Sequence, residues 1–443
     1  MSRLLRTDRY DDLNPTELQQ LFARSGLDLS QVREQVIQPL AKQFRENAQA
    51  ALEAAILKFE GALPDPLVLG PHDLAAAFER VKKTQGEVIA AFELAAANIR
   101  QFHEAQKQGG FSSEIAGNTL GVSFVPFDRV ALYVPGGKAL YPSTVLMGVL
   151  PARIAGVEDI TLLTPPVPET RRVSDVVLAM AHIAGATRVL QAGGAQAIFA
   201  AAYGLESVGL KAVDFIYGPG NIYVSAAKIH VAGENLCGID SFAGPSEVVI
   251  IADDSANPRY VAHDLMAQAE HDENAQAILL TTSAELAAAT EKEITASLDR
   301  RREDEKRRQI TLESIRRNGR VLLVSSLDEA MAISNRYAPE HLEIQTCEND
   351  RLLSLVRAAG SVFVGDYAPV AAGDYYSGTN HILPTAGGAR FTSGVSVYTF
   401  YRRITWQKLT AEGLKRGKDA IAVMSEAEGL FAEHGYSVLT RFE

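Results

Sequence analysis

From Arg129 onward, short apolar runs rich in β-branched residues alternate with helical stretches. That rhythm constrains the fold more than any other feature of the chain. RVALYV, STVLMGVLPARIAG, DITLLT, SDVVLAMAHIAGA, RVLQAGG, AQAIFAAAYG and DFIYGPG form a first series. EVVIIAD, RYVAHDLMAQAEH, AQAILLT, a charged helical stretch from Glu285 to Arg317, RVLLV, LDEAMAISNRY, HLEIQT and SVFVG form a second. Continuous apolar strands joined by helices are the mark of parallel sheets covered on both faces. The two series, near 129–236 and 246–365, predict an α/β fold with two doubly wound units. The 443 residues are more than one core organises, since single cores stop growing at roughly 250–300 residues.

Residues 15 to about 108 read as helix and show no convincing strand. LQQLFARSGLDL and VIAAFELAAANIRQFH space their apolar residues at helical intervals. The formal net charge is −11, which argues against a nucleic-acid surface. The basic run in ASLDRRREDEKRRQ is interleaved with acids and reads as a solvated helical face. No run of about 18 apolar residues predicts a membrane helix, and the first residues show no secretory h-region. The expected location is the cytoplasm. Two cysteines, Cys237 and Cys347, exclude a disulfide framework and a Cys-rich zinc site; both read as packing residues.

Glycine-rich punctuation follows three strand runs: YVPGGK, QAGGAQ and YGPGN. In parallel sheets, ligands bind beyond the carboxyl ends of strands, and such turns free backbone N–H groups for phosphate. No G-x-G-x-x-G and no phosphate-loop pattern occurs, so on these turns alone tight turns are the plainer reading. Gln268 and His271 stand one helical turn apart in QAEH, a geometry open to a divalent metal, though a capped helix end is the plainer reading of these residues alone. Glu340 and His341 adjoin at the entry to HLEIQT. Neighbours on a strand face opposite ways, so both reach one site only from the turn that Pro339 sets up. Asp374 and His381 flank a polar run, AGDYYSGTNHILP, that reads as a loop. Ser246 and Glu247 open the strand EVVIIAD. Glu428 and His434 lie near the end of the chain.

These segments resemble the histidinol dehydrogenase family. YVPGGKALYPSTVLM, GGAQAI, YGPGN, AGPSEV, QAEHD, APEHLEIQT and GDYYSGTNHILPT are similar to its successive motifs and stand in family order. The resemblance implies two Rossmann-like domains, a helical N-terminal region and a small C-terminal helical segment. The expected partition is a helical arm at 1–30, one domain from 31–128 with 244–385, a second at 129–243, and a dimer segment at 386–443.

The resemblance also implies an activity: zinc-dependent oxidation of L-histidinol to L-histidine through L-histidinaldehyde, with two NAD reduced. By the family pattern, Gln268, His271, Asp374 and His434 hold zinc, and Glu340 and His341 are the acid–base pair. Tyr133, Gln196 and Asn221 contact NAD. Ser246, His381 and Glu428 join the zinc and acid–base residues as substrate contacts. The C-terminal segment completes the site of a partner in a homodimer. One departure stands out. Glu428-Gly-Leu-Phe-Ala-Glu-His434 is one residue longer than the family's run, and an added helical residue turns a side chain by about 100°. The alternatives are a related dehydrogenase of another small alcohol, such as a sulfonated diol, and a non-catalytic nucleotide- or metal-binding relative.

Overall fold

A computed structural model describes residues 4–22, 29–136, 140–241, 244–300 and 305–443. Two six-stranded sheets carry the architecture. Sheet I runs, in spatial order, Val68–Leu69, Arg188–Gln191, Asp159–Thr164, Arg129–Tyr133, Phe215–Tyr217 and Gly238–Ile239. Sheet II runs Arg6–Arg9, Arg320–Leu323, Gln276–Thr281, Glu247–Ala252, His341–Gln345 and Ser361–Val364. All pairings are parallel except that of Val68–Leu69 with Arg188–Gln191.

The two-residue period of a strand sorts side chains into two cores per sheet. In sheet I, Val130 and Leu132 face one core while Ala131 and Tyr133 face the other. In sheet II, Val248 and Ile250 oppose Val249 and Ile251 in the same way. Helix Pro142–Ala155 presses onto sheet I through Gly148, where a Cβ would come within 2.5 Å of Leu132 Cδ2. Only glycine permits that approach.

The packing departs from the expected partition. Helices Gln38–Phe59, Pro71–Thr84 and Gly86–Glu104 cover sheet I: Phe44, Leu74 and Ile99 lie in cores with residues of the first series. Residues 31–104 therefore belong with 129–239, not with 244–385. The N-terminal segment joins sheet II instead, through strand Arg6–Arg9 and buried Leu5 and Leu21. Two strands also fall where helix was expected, at Arg6–Arg9 and Val68–Leu69. Both are short edge strands without an apolar run, and they borrow their order from a neighbour. The charged stretch forms two helices, Ala284–Arg300 and Glu305–Asn318, with 301–304 outside the described residues.

A third sheet is antiparallel, ordered Tyr401–Lys408, Asn118–Pro126, Phe111–Ile115. It leads into helix Ala411–Ala427 and the end of the chain as a largely exposed arm, with Ile404, Trp406, Val423, Met424 and Leu430 at its surface. Among the described residues, no helix is long and apolar enough to cross a membrane. Cys237 is half-buried, but Cys347 is exposed, contrary to the packing role expected of it.

Candidate functional site

Strand His341–Gln345 begins where helix Leu327–Tyr337 ends. Ala338 turns the chain with a φ of 50°, which leaves Glu340 just ahead of the strand. Both residues of the pair consequently reach one neighbour, Glu247, at the start of strand Glu247–Ala252. Glu340 Oε2 accepts the Glu247 N–H at 3.0 Å, and His341 Nδ1 lies 3.1 Å from the Glu247 carbonyl. A carbonyl only accepts, so Nδ1 carries the hydrogen and Nε2 keeps its lone pair. Both side chains are buried. Burial pushes the Glu340 carboxyl well above the usual range, with Glu247 and Asp374 adding repulsion. It pushes His341 down to about 3, with His271 and His381 adding to the effect. Burial thus works against the charged form of both groups.

Helix Pro258–Ala269 starts on Asn257, whose side chain accepts the Arg259 N–H at 2.9 Å. It ends at Gln268 and His271. Gln268 is buried, and neither amide atom has a hydrogen-bond partner, a costly state for a polar group. His271 opens to solvent, yet protein crowds it closely enough to lower its pKa, and burial is the first cause. Asp374 lies in helix Val370–Tyr375, not in the loop the sequence suggested, and that helix packs on Pro258–Ala269. Burial raises its carboxyl pKa to about 7.

His381 bridges the two halves of the molecule. Its Nδ1 lies 3.1 Å from the Asp374 carbonyl and its Nε2 3.1 Å from Thr144 Oγ1, in the first turn of helix Pro142–Ala155. Ser246 directly precedes strand Glu247–Ala252, and its carbonyl accepts the Gln276 N–H at 2.9 Å. The structure thus gathers Gln268, His271, Glu340, His341, Asp374 and His381. It does so at the amino ends of sheet II, where Glu340–His341 and Ser246–Glu247 stand at strand entries.

Beneath this cluster, Gln345 Nε2 donates to Asp264 Oδ2 at 3.0 Å and to Glu343 Oε2 at 2.9 Å. Glu343 Oε1 accepts the Val370 N–H at 3.1 Å. These bonds tie helix Pro258–Ala269, strand His341–Gln345 and helix Val370–Tyr375 together.

Gln268, His271 and Asp374 offer an amide oxygen, an imidazole and a carboxylate, a donor set suited to zinc. The unpartnered Gln268 amide fits that use. Among the described residues, no group of three His, Cys, Asp or Glu is placed to hold a metal. His434 and Glu428 are exposed on the C-terminal arm. Helix Ala411–Ala427 ends at Glu428, Gly429 takes a φ of 71°, and Phe431–Gly435 forms a wide π-type turn. The added residue is thus absorbed by a break and a bulge, so the spacing rule of a continuous helix does not apply between Glu428 and His434.

Tyr133, Gln196 and Asn221 line one cavity of about 740 Å³ at the carboxyl ends of sheet I, together with Glu60, Gly193 and Gly194. All three expected glycine turns contribute here, through Gly136, through Gly193 and Gly194, and through Asn221. The Gly137–Lys138 part of YVPGGK lies outside the described residues, as does Ala243 of AGPSEV. Tyr133 Oη accepts the Gly194 N–H at 2.9 Å, and Glu60 Oε1 accepts the Gly193 N–H at 3.0 Å. The Asn221 side chain takes Tyr223 N–H and Val224 N–H at 3.0 and 3.1 Å. Sequence reading missed Glu60 altogether and left Glu247 without a role. Each reaches its site through a fold-level contact that no local motif signals.

The comparisons agree with one another. The family model described as histidinol dehydrogenase matches residues 22–442. Histidinol dehydrogenase of Leptospira interrogans is 44% identical over 425 residues, covering 96% of each chain. That of Halobacterium salinarum is 46% identical over 436 residues, covering 98% of each. The crystal structure of histidinol dehydrogenase from Elizabethkingia anophelis superposes with a TM-score of 0.91 at 36% identity, covering 100% of this chain and 99% of that one. With its motifs, its fold and its relatives in accord, the chain belongs to the histidinol dehydrogenase family.

Proposed function

We propose that this chain oxidises L-histidinol to L-histidine through L-histidinaldehyde, in the cytoplasm, reducing two NAD in turn. The observation that carries this reading is the buried Glu340–His341 pair beside Gln268, His271 and Asp374. Zinc would be held by Gln268, His271, Asp374 and His434 of the partner subunit, and would supply a Lewis acid beside the substrate. NAD would be held by Tyr133, Gln196 and Asn221, and would supply the hydride acceptor.

The protein's own residues handle the protons. His341, fixed in one tautomer by the Glu247 carbonyl, takes the alcohol proton at Nε2 as the carbon loses hydride. Water then adds to the aldehyde. Glu340, whose raised pKa makes it a stronger base once ionised, takes the proton from that water, and the hydrate loses the second hydride. Each half-reaction removes one hydride and one proton from carbon and oxygen, and the added water supplies the second carboxyl oxygen. Ser246, His381 and Glu428 of the partner subunit make further substrate contacts, His381 by exchanging its bond to Thr144.

The exposure of His434, Glu428 and the apolar residues of the arm supports a homodimer in which the arm completes the partner's site. The deciding test is purified protein with histidinol and NAD, counting NADH and histidine together. About two NADH per histidine are expected; one NADH with aldehyde accumulating, or no turnover, contradicts the proposal.

A further inference from the structure

Glu60 is the C-cap of helix Gln38–Phe59 and stands in the cavity with Tyr133, Gln196 and Asn221. It is the sole carboxylate among the described residues that line that cavity. Its Oε1 accepts the Gly193 N–H at 3.0 Å. Its Oε2 is buried without a hydrogen bond; burial raises the carboxyl above its usual range, and the Gly193 N–H and the Gln196 side chain act against that shift. The cavity's other charge, Lys58, is exposed, with its Nζ 5.1 Å from the Phe59 ring.

A dinucleotide offers such a carboxylate three kinds of group: phosphates, aromatic bases and ribose hydroxyls. Phosphate is repelled. The start of helix Gly194–Tyr203 is also closed to it, because Glu60 and Tyr133 already take the Gly193 and Gly194 N–H groups. Ribose hydroxyls are donors and match an acceptor with spare capacity. The position selects which ribose. In doubly wound sheets the adenosine half lies over the first three strands and the other half across the switch point. Here the first three are Arg129–Tyr133, Asp159–Thr164 and Arg188–Gln191, with Phe215–Tyr217 on the opposite side of Arg129–Tyr133. Glu60 meets the turn after Arg188–Gln191, on the adenosine side.

We propose that Glu60 is a specificity-determining residue that binds the adenosine ribose hydroxyls of NAD and excludes a 2′-phosphate. The inference rests on the reading that this cavity holds NAD. It assigns to a helix cap the task that an acidic residue at a strand end performs in other dinucleotide sites. A doubly charged phosphate placed against the carboxylate meets repulsion, whereas a hydroxyl donates to it.

The test compares Glu60→Gln and Glu60→Ala with the parent for NAD and NADP, by kcat/KM and by direct NADH and NADPH binding. Glu60→Gln retains an acceptor for the Gly193 N–H but not the charge. It is expected to keep the parent's melting temperature, weaken NAD about tenfold, and shift the NADP-to-NAD preference by at least about tenfold. Glu60→Ala should shift the preference in the same direction. An equal loss for both cofactors overturns the proposal, since it places Glu60 away from the 2′-position or in a purely structural role. Tyr133→Phe and Asn221→Ala test the underlying reading. If they weaken NAD while the Glu60 variants do not, the Glu60 assignment alone fails. If none of the four alters NAD binding, the cavity reading fails and takes the assignment with it.

Discussion

Glu340 and His341 adjoin in the chain, with Glu340 Oε2 3.6 Å from His341 Nδ1, yet each is hydrogen-bonded to the main chain of Glu247. Glu247 fixes them independently. Neither depends on the other for its orientation, so their contributions are separable by mutation.

Glu340→Gln is therefore expected to slow aldehyde oxidation by at least about 100-fold while slowing alcohol oxidation far less. His341→Asn should slow the first step at least as strongly. Rapid-mixing NADH traces, started from histidinol and from histidinaldehyde, read the two steps. Equal losses in both steps for Glu340→Gln would refute its assignment to water activation.

Removing zinc with a chelator is expected to abolish turnover with histidinol, and added zinc to restore it. His271→Ala should lower metal affinity by more than the roughly 10–100-fold that losing a hydrogen bond to a metal ligand costs. Because His271 is open to solvent, the melting temperature of the metal-free protein should barely change. Full activity in verified metal-free protein is the contrary result.

Asp374→Ala and His434→Ala are each expected to be inactive alone. Co-expressed, they pair at random, about half the dimers are mixed, and each mixed dimer holds one intact site if the arm crosses between subunits. Activity should return to roughly a quarter of the parent's. Zero recovery in tag-verified mixed dimers would show that His434 serves its own chain.

The Asp264–Gln345–Glu343 cluster makes stability depend on pH. Burial raises both carboxyl groups above their usual range, Glu343 the further, with Asp264 adding repulsion. The folded protein therefore holds a proton that the unfolded chain releases. The pair's full contribution is present below the unfolded pKa of about 4 and is lost as pH rises through the folded value. The cost reaches ~1.4 kcal/mol per pH unit for each proton retained. Glu343→Gln cannot ionise, so its melting temperature relative to the parent should climb as pH is raised from about 4 toward neutrality. Parallel curves in calorimetry would contradict a retained proton.

The central strands were legible because EVVIIA and DITLLT are unbroken apolar runs, which both faces of a covered parallel sheet require. Arg6–Arg9 reads RTDR and Val68–Leu69 is only two residues long; at a sheet edge the neighbour's ladder supplies the order, and no pattern records it. Which sheet Phe44 and Leu74 cover is equally non-local, since an amphipathic helix announces its apolar face but not its partner. The Gln-x-x-His spacing was visible, but the absence of any hydrogen bond to the Gln268 amide is a property of the folded interior. Asp374 read as loop because glycine, serine and asparagine surround it, and its single helical turn is held from outside by the Glu343 bond to Val370 N–H.

The two sheets present opposite rims to their sites. Around the cavity of sheet I, helices Gly194–Tyr203 and Ile222–Gly233 begin. At the amino rim of sheet II, helices Pro258–Ala269 and Leu327–Tyr337 both end, beside Gln268 and Glu340. Aligned peptide dipoles leave a partial positive charge at helix starts and a partial negative charge at helix ends. The backbone field at the first rim favours negative charge, and that at the second favours positive charge. Placing one site at carboxyl ends and the other at amino ends thus sorts ligands by sign of charge, and the backbone does this sorting whatever side chains are mutated.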